Sequence, residues 1–519
     1  MSLIKGGFLD RRGFLKTTVA ATAAATLPLS SAAIAAPKRG GHIRVGKAHG
    51  QTTDTMNPGT WENGFTIDMA FTIHGYLVEV APDGSMVPNV AESWEASDDA
   101  SEWRFKLRKG VTFHSGKEVT VEDVIASVNF HRGEGSTSAA GPIVAPITEI
   151  SAEGDDTIVF KLDGGNADFP FILTDYHIPI CKAEGDSIDW KSGDGCGPYI
   201  LKSVDFGVQA AFERNPNHWR DDVAFFDSVE MLSLVDLNAR TTALVSGDVD
   251  VIDRLDLKTV GLLGRNPNVN IKSVAGNAHY TIPMDTKIAP FNDNNVRQAL
   301  KYGINREELV EKILFGYGSV GNDHPIGQGQ RYYHSELEQK TYDPDKAKFY
   351  LKEAGMENLS IDVSSSDAAF GGAVDAAVLY QNSASAAGID INVVREPNDG
   401  YWSDVWMKKG MVFSYWGGRP VEDQMFSTAY QTGASWNESF WSNERFDELL
   451  VKARAELDET KRKDMYWEMQ AICANEGGSV IPMFNDFVFA TSNKVGLPET
   501  MGTNWDMDGS RWSERWWLA

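Results

Sequence analysis

The sequence predicts a mixed α/β protein whose domains are joined by tight crossings. Three observations predict it. At 519 residues the chain exceeds one ordinary core and suits two or three domains of roughly 100–200 residues each. Helix start and stop signals alternate with short runs of period-two hydrophobicity, which is the grammar of α/β folds. No internal repeat, heptad run or Pro/Gly/Ser linker interrupts that alternation, so the domains do not hang as beads on a string.

Each element has a local cause. His42-Ile43-Arg44-Val45-Gly46 reads as an opening strand, closed by a loop through Asn57-Pro58-Gly59. Pro82-Asp83-Gly84 is a turn. Trp103-Arg104-Phe105-Lys106-Leu107 alternates apolar with basic residues, as a half-buried strand does. Thr120 before Glu122 and Asp123 starts a helix, a capping oxygen followed by acids in the first turn. From Asp293 to Leu314 a helical pattern breaks near Gly303 and resumes at Asn305. Asp343-Pro344-Asp345 starts a helix that stops at Ala354-Gly355. The stretch Asp375 to Ala387 is helical, with Gly388 as its stop, and Ile389 to Val394 alternates as a strand.

Composition bounds function. With 42% hydrophobic and 23% charged residues, the chain is ordinary for a water-soluble globular protein. Residues 1–36 read as an export signal. Lys5, Arg11, Arg12 and Lys16 precede a mild apolar stretch and the small-residue run Ala33-Ile34-Ala35-Ala36. The paired arginines in Asp10-Arg11-Arg12-Gly13-Phe14-Leu15-Lys16 resemble the bacterial twin-arginine label, with Asp10 in place of the usual Ser or Thr. No cysteine lies near the expected cut, and no other apolar segment approaches spanning length. The expectation is a free periplasmic protein that is not membrane-embedded. Loss of the signal moves the formal charge from −25 to −28. So acidic a surface repels phosphate backbones, which argues against nucleic acid as a partner. Cys181 and Cys196, 15 residues apart, either close a loop worth ~3 kcal/mol in an oxidising compartment or stay buried thiols.

Several blocks resemble the peptide-type family of periplasmic binding proteins (family 5), which includes dipeptide, oligopeptide, opine and nickel binders. The longest runs from Val87 to Val124. In it Pro88-Asn89-Val90-Ala91-Glu92-Ser93-Trp94 is followed by Phe105 to Gly116 and by Thr120-Val121-Glu122-Asp123-Val124. Gly195-Cys196-Gly197-Pro198-Tyr199, Asn215-Pro216-Asn217-His218-Trp219 and Pro290-Phe291-Asn292-Asp293 fall in the family's order. So do Val296 to Leu300 and Tyr342 to Gly355. The resemblance implies a two-lobed type II, Venus-flytrap fold with an extra subdomain in lobe one. Lobe one takes residues 37–275, with the subdomain at about 82–194, and is completed by a return segment, 485–519. Lobe two takes residues 276–484. It also implies a substrate-binding component of an ABC importer. Such a protein is a monomer without a cofactor, and it closes on a ligand between its lobes and hands it to the permease.

Ser414-Tyr415-Trp416-Gly417-Gly418-Arg419-Pro420 matches the loop that lines the cleft from lobe two. The family's peptide binders carry an acid there for the ligand's ammonium group. Arg419 stands in its place, and its planar fork of donors suits a carboxylate, so the expected ligand is a short peptide or peptide-like carboxylate. A surface arginine paired with Glu422 or Asp423 is the competing expectation, and those acids are alternative partners for an ammonium. Tryptophans crowd the region, and Trp416 and Trp436 are expected to face the ligand, with Gly417, Asn437 and Tyr401 beside them. Trp61 and Asn63 are the candidates from lobe one, and His324 is a further one, in a loop where solvation is its default. Trp512, Trp516 and Trp517 read as packing that fastens the tail to lobe one. An opine, oligosaccharide or metal-chelate binder is the alternative within the family. A secreted hydrolase is the alternative outside it: the chain has no Gly-x-Ser-x-Gly, His-Glu-x-x-His or Cys-x-x-Cys, and its ten histidines show no metal-ligand spacing. No catalytic or metal-ligating residue is assigned.

Overall fold

The computed structural model describes residues 37–133 and 135–519. The expected export signal lies outside them. No helix among the described residues is long and apolar enough to cross a membrane.

The opening strand, His42–Lys47, buries Ile43 and Val45 on one face and lies at the heart of a seven-stranded sheet. It runs parallel to Ser228–Ser233 and to Val251–Ile252. The sheet continues on one side through Gln209–Arg214 to Tyr199–Asp205, and on the other through Phe487–Ser492 to Val269–Val274, all antiparallel. The carboxyl ends of the three parallel strands therefore gather Lys47, Ser233 and Asp253 along one edge, where open α/β sheets hold their ligands. Between the first two strands of this sheet the chain inserts a four-stranded antiparallel sheet. Its order is Ala91–Ala96, Glu102–Leu107, Thr157–Leu162, Ile147–Glu153. Helix Val121–Asn129 packs there, its start fixed by the expected cap, with Thr120 N–H donating to Asp123 Oδ2 at 2.9 Å.

A second lobe is built on the antiparallel sheet Gly318–Val320, Ser479–Asn485, His279–Pro283, Ser414–Trp416. Local sequence sets its helices. Asp293 caps Asn294–Tyr302, Gly303 ends it, and Asn305 caps Arg306–Ile313. Asp343 caps Pro344–Glu353. Helix Ala373–Ser385 leads through left-handed Gly388 (φ 77°) into strand Ile389–Arg395, which lies parallel to Leu359–Ser365.

Two strands of the first sheet pass directly into strands of the second. Val269–Val274 is followed after four residues by His279–Pro283, and Ser479–Asn485 is followed after one by Phe487–Ser492. These crossings touch: Asn485 N–H donates to Ala278 O at 3.1 Å. A Cβ at Gly276 would stand 2.5 Å from Asn485 O, so only glycine fits there.

The tail is fastened as expected, for Trp512 and Trp516 lie wholly within the first lobe's core and Trp517 is buried. It holds a run of left-handed residues, Met507 (φ 50°), Asp508 (φ 65°), Gly509 (φ 68°) and Ser510 (φ 59°), which costs on the order of 1–3 kcal/mol at each non-glycine position and needs outside restraint. Asp508 supplies it, accepting from Gly502 N–H at 2.6 Å and from Arg515 Nη1 at 3.1 Å. Beside it, burial and the nearby Asp253 push Asp506 up to about 6, against the pull of Lys47 and Arg254. A carboxyl whose folded pKa is raised stabilises the fold while protonated and loses that contribution as pH climbs through the folded value. Stability is therefore expected to fall from this group between pH about 4 and about 6. Urea titrations across that window should show the slope reduced in Asp506→Asn.

Candidate ligand-binding site

Strand Ser414–Trp416 forms an edge of the second-lobe sheet, paired on one side with His279–Thr281. Alternation sends Tyr415 outward, 48% exposed, and turns Trp416 inward. Beyond it Gly418 passes close against Asn277, where a Cβ would meet the Asn277 side chain at 2.8 Å. Arg419 then folds back, Nη1 donating to Gly417 O at 3.2 Å and Gly418 O at 3.3 Å, with its guanidinium 5.9 Å from the centre of the Trp416 ring. Trp436, 50% exposed, stands 6.0 Å from the same ring.

Among the described residues no carboxylate lies within ion-pair distance of Arg419. Asp423 is taken by Arg454 at 3.0 Å, and Glu422 accepts Tyr332 N–H at 2.7 Å. Partial burial lowers the guanidinium's pKa, and Tyr176 from the first lobe is near enough to oppose that shift. Beside this loop a narrow pocket of about 20 Å³ opens between the lobes. Asn277, Arg331, Pro420 and Glu422 line one wall, and Phe171 and Asn504 the other.

Four of the expected ligand residues, Tyr401, Asn437, Trp61 and Asn63, have their polar groups engaged in hydrogen bonds inside the fold, and the fifth, His324, is buried with its Nδ1 unpartnered. Tyr401 is buried and donates its hydroxyl to Phe413 O at 2.7 Å. Asn437 is buried and donates its amide to Tyr430 O, Gln431 O and Trp441 O, tying a turn. Trp61 is buried with Nε1 donating to Thr55 O at 2.9 Å. Asn63 is the N-cap of helix Gly64–Ile73, its Oδ1 accepting from Phe65 and Thr66 N–H. His324 is fully buried instead of solvated, and burial pushes its pKa down to about 3. The chain is held there by neighbouring Asp323, which forms a two-point pair with Arg306 at 2.7 and 2.8 Å. Cys181 and Cys196 are free thiols, both buried, so no disulfide closes that loop. Trp416, Gly417, Arg419 and Trp436 do come together.

The sequence reading missed the acids behind the site. Glu438 lies beneath the tryptophans and accepts from Thr281 Oγ1 (2.7 Å), Trp416 Nε1 (3.1 Å) and Trp406 Nε1 (2.7 Å). Asp168, from the first lobe, accepts from Arg462 Nη1 at 2.7 Å and Arg331 Nη2 at 2.9 Å, both in the second. A signal for Asp168 existed: it is the one acid in the apolar run Ala167 to Leu173.

The family described as bacterial extracellular solute-binding proteins, family 5, matches residues 85–438. The chain belongs to this family. It is thus a solute-binding component of an ABC importer, with the family's two-lobed α/β fold. The chain is 25% identical over 488 residues to di/tripeptide-binding protein 2 of Pseudomonas aeruginosa, covering 85% of this chain and 89% of the relative. It is 27% identical over 292 residues to the nickel-binding periplasmic protein of Escherichia coli, covering 54% and 55%. The periplasmic murein tripeptide binding protein, in an unliganded open form, superposes with a TM-score of 0.79 at 19% identity, over 89% of this chain and 94% of that one. Relatives of this solute-binding protein therefore differ widely in cargo, and the ligand has to be argued from the site.

Proposed function

We propose that this solute-binding protein captures a short peptide or peptide-like carboxylate between its lobes and delivers it to the membrane permease of the importer. It does so as a monomeric periplasmic protein, exported by the twin-arginine route and without catalysis. The moving parts are residues 37–275 with 485–519, and residues 276–484. The observation that carries the reading is Arg419, a guanidinium over a tryptophan face with no carboxylate of its own. A fork of donors held in place by its own loop loses little freedom when an acid docks, and the hydrogen bonds formed are charge-assisted.

Calorimetry with alanylalanine and with its C-terminal amide tests this. Arg419→Ala is expected to weaken the acid by roughly 10- to 100-fold, the range of a hydrogen bond to a charged group, and to leave the amide and the melting temperature unchanged. Equal affinity of wild type and Arg419→Ala for the acid would remove the assignment.

A further inference from the structure

Glu438 is a buried acid without a cation. It is 6% exposed, and no lysine or arginine among the described residues lies within ion-pair distance. Burial raises its pKa, and the donors around it pull the other way. Replacing a buried charge by an apolar group of similar size is often neutral or stabilising, so packing alone does not explain an acid here. The donors do. An indole N–H donates and cannot accept, and an ionised carboxylate accepts at both oxygens. One oxygen takes Thr281 and Trp416, the other takes Trp406, and each ring is fixed in rotation about its long axis.

Both rings support exposed aromatic surface. Trp416 backs Trp436 and carries Arg419 on its face. Trp406 meets Trp402, 41% exposed, edge-on at 5.8 Å, and Trp402 in turn meets Tyr415 at 5.7 Å. A carboxylate at the indole N–H also enriches the ring's electron density, which strengthens its hold on a cation over its face. We propose that Glu438 is a positioning residue: it sets the indoles of Trp406 and Trp416, and through Trp416 it holds the Arg419 guanidinium where a ligand meets it.

This rests on the reading of Arg419 as the ligand's grip, and the test separates the two. Glu438→Gln keeps the shape but places a donor against three donors, whereas Glu438→Asp keeps the charge. Indole N–H signals of 15N-labelled protein read the first effect, and calorimetry with alanylalanine reads the second. Glu438→Gln is expected to move the Trp406 and Trp416 signals toward those of free indole and to weaken alanylalanine about tenfold or more. Glu438→Asp should recover part of both. Unmoved indole signals in Glu438→Gln overturn the proposal whatever the peptide does. Moved signals with unchanged affinity overturn it as well, because the acid is then only structural. If wild type does not bind alanylalanine, calorimetry of Arg419 variants fails with it, and the indole signals alone decide whether Glu438 sets the rings.

Discussion

Asp168→Ala is expected to lower the unfolding free energy by roughly 3–5 kcal/mol, the range for removing one partner of a buried ion pair. Asp168 and Arg462 are each 2% exposed, so water cannot replace the lost carboxylate. The stranded guanidinium keeps one hydrogen bond, from Nε to Ala453 O at 2.9 Å, and otherwise faces the rings of Tyr332 and Tyr466, each 5.5 Å from it. Arg331 loses the same partner while stacked 4.8 Å from Phe171 and 4.3 Å from Tyr332. Exposure decides the magnitude. Arg445 makes pairs of similar length with Glu468 and Glu448 on the surface, and losing such pairs typically costs under about 1 kcal/mol. Urea unfolding of both variants checks the contrast, and an Asp168→Ala loss no larger than that of Arg445→Ala would refute it. Because this contact joins the inserted subdomain to the second lobe, hydrogen exchange should also rise in helix Glu459–Glu476.

Lys47→Met is expected to produce a loss of similar size, about 3–5 kcal/mol at neutral pH, with an added pH signature. Lys47 lies wholly buried at the end of the opening strand, 2.7 Å from both Asp68 and Asp253. Its charge holds the Asp253 carboxyl down against burial and offsets part of the burial that raises Asp68. Without it both carboxyls are raised in the folded state, so the fold takes up protons that the unfolded chain does not. The penalty is then greatest at high pH and shrinks as pH falls toward the unfolded value of about 4. Wild type and Lys47→Met should therefore converge in stability on acidification, and parallel curves would exclude the mechanism.

What was legible in the sequence was local. Asp293, Asn305 and Asp343 cap helices because a short side chain reaches amides two or three residues on, and three residues are enough to see that. Trp512 and Trp516 announced their burial by size alone. The polar ends of the site residues were not legible, since Tyr401 and Phe413, or Asn437 and Trp441, meet only once the lobe is folded. Glu438, between Asn437 and Ser439, looks like part of a polar turn until two tryptophans are seen to point at it. Arg462 was hidden by Lys461 and Lys463, three cations in a row of which one turns inward. Cysteine spacing carries no information on the direction of Cβ, so it did not distinguish a bond from two separate thiols.

The paired crossings have a mechanical consequence. Two tethers side by side, hydrogen-bonded to each other and pressed together at Gly276, let the halves swing like a cover on a spine but resist shear and wringing. Any movement of one half against the other that keeps both tethers intact is thereby confined to the few peptide units between Val274 and His279 and around Asp486.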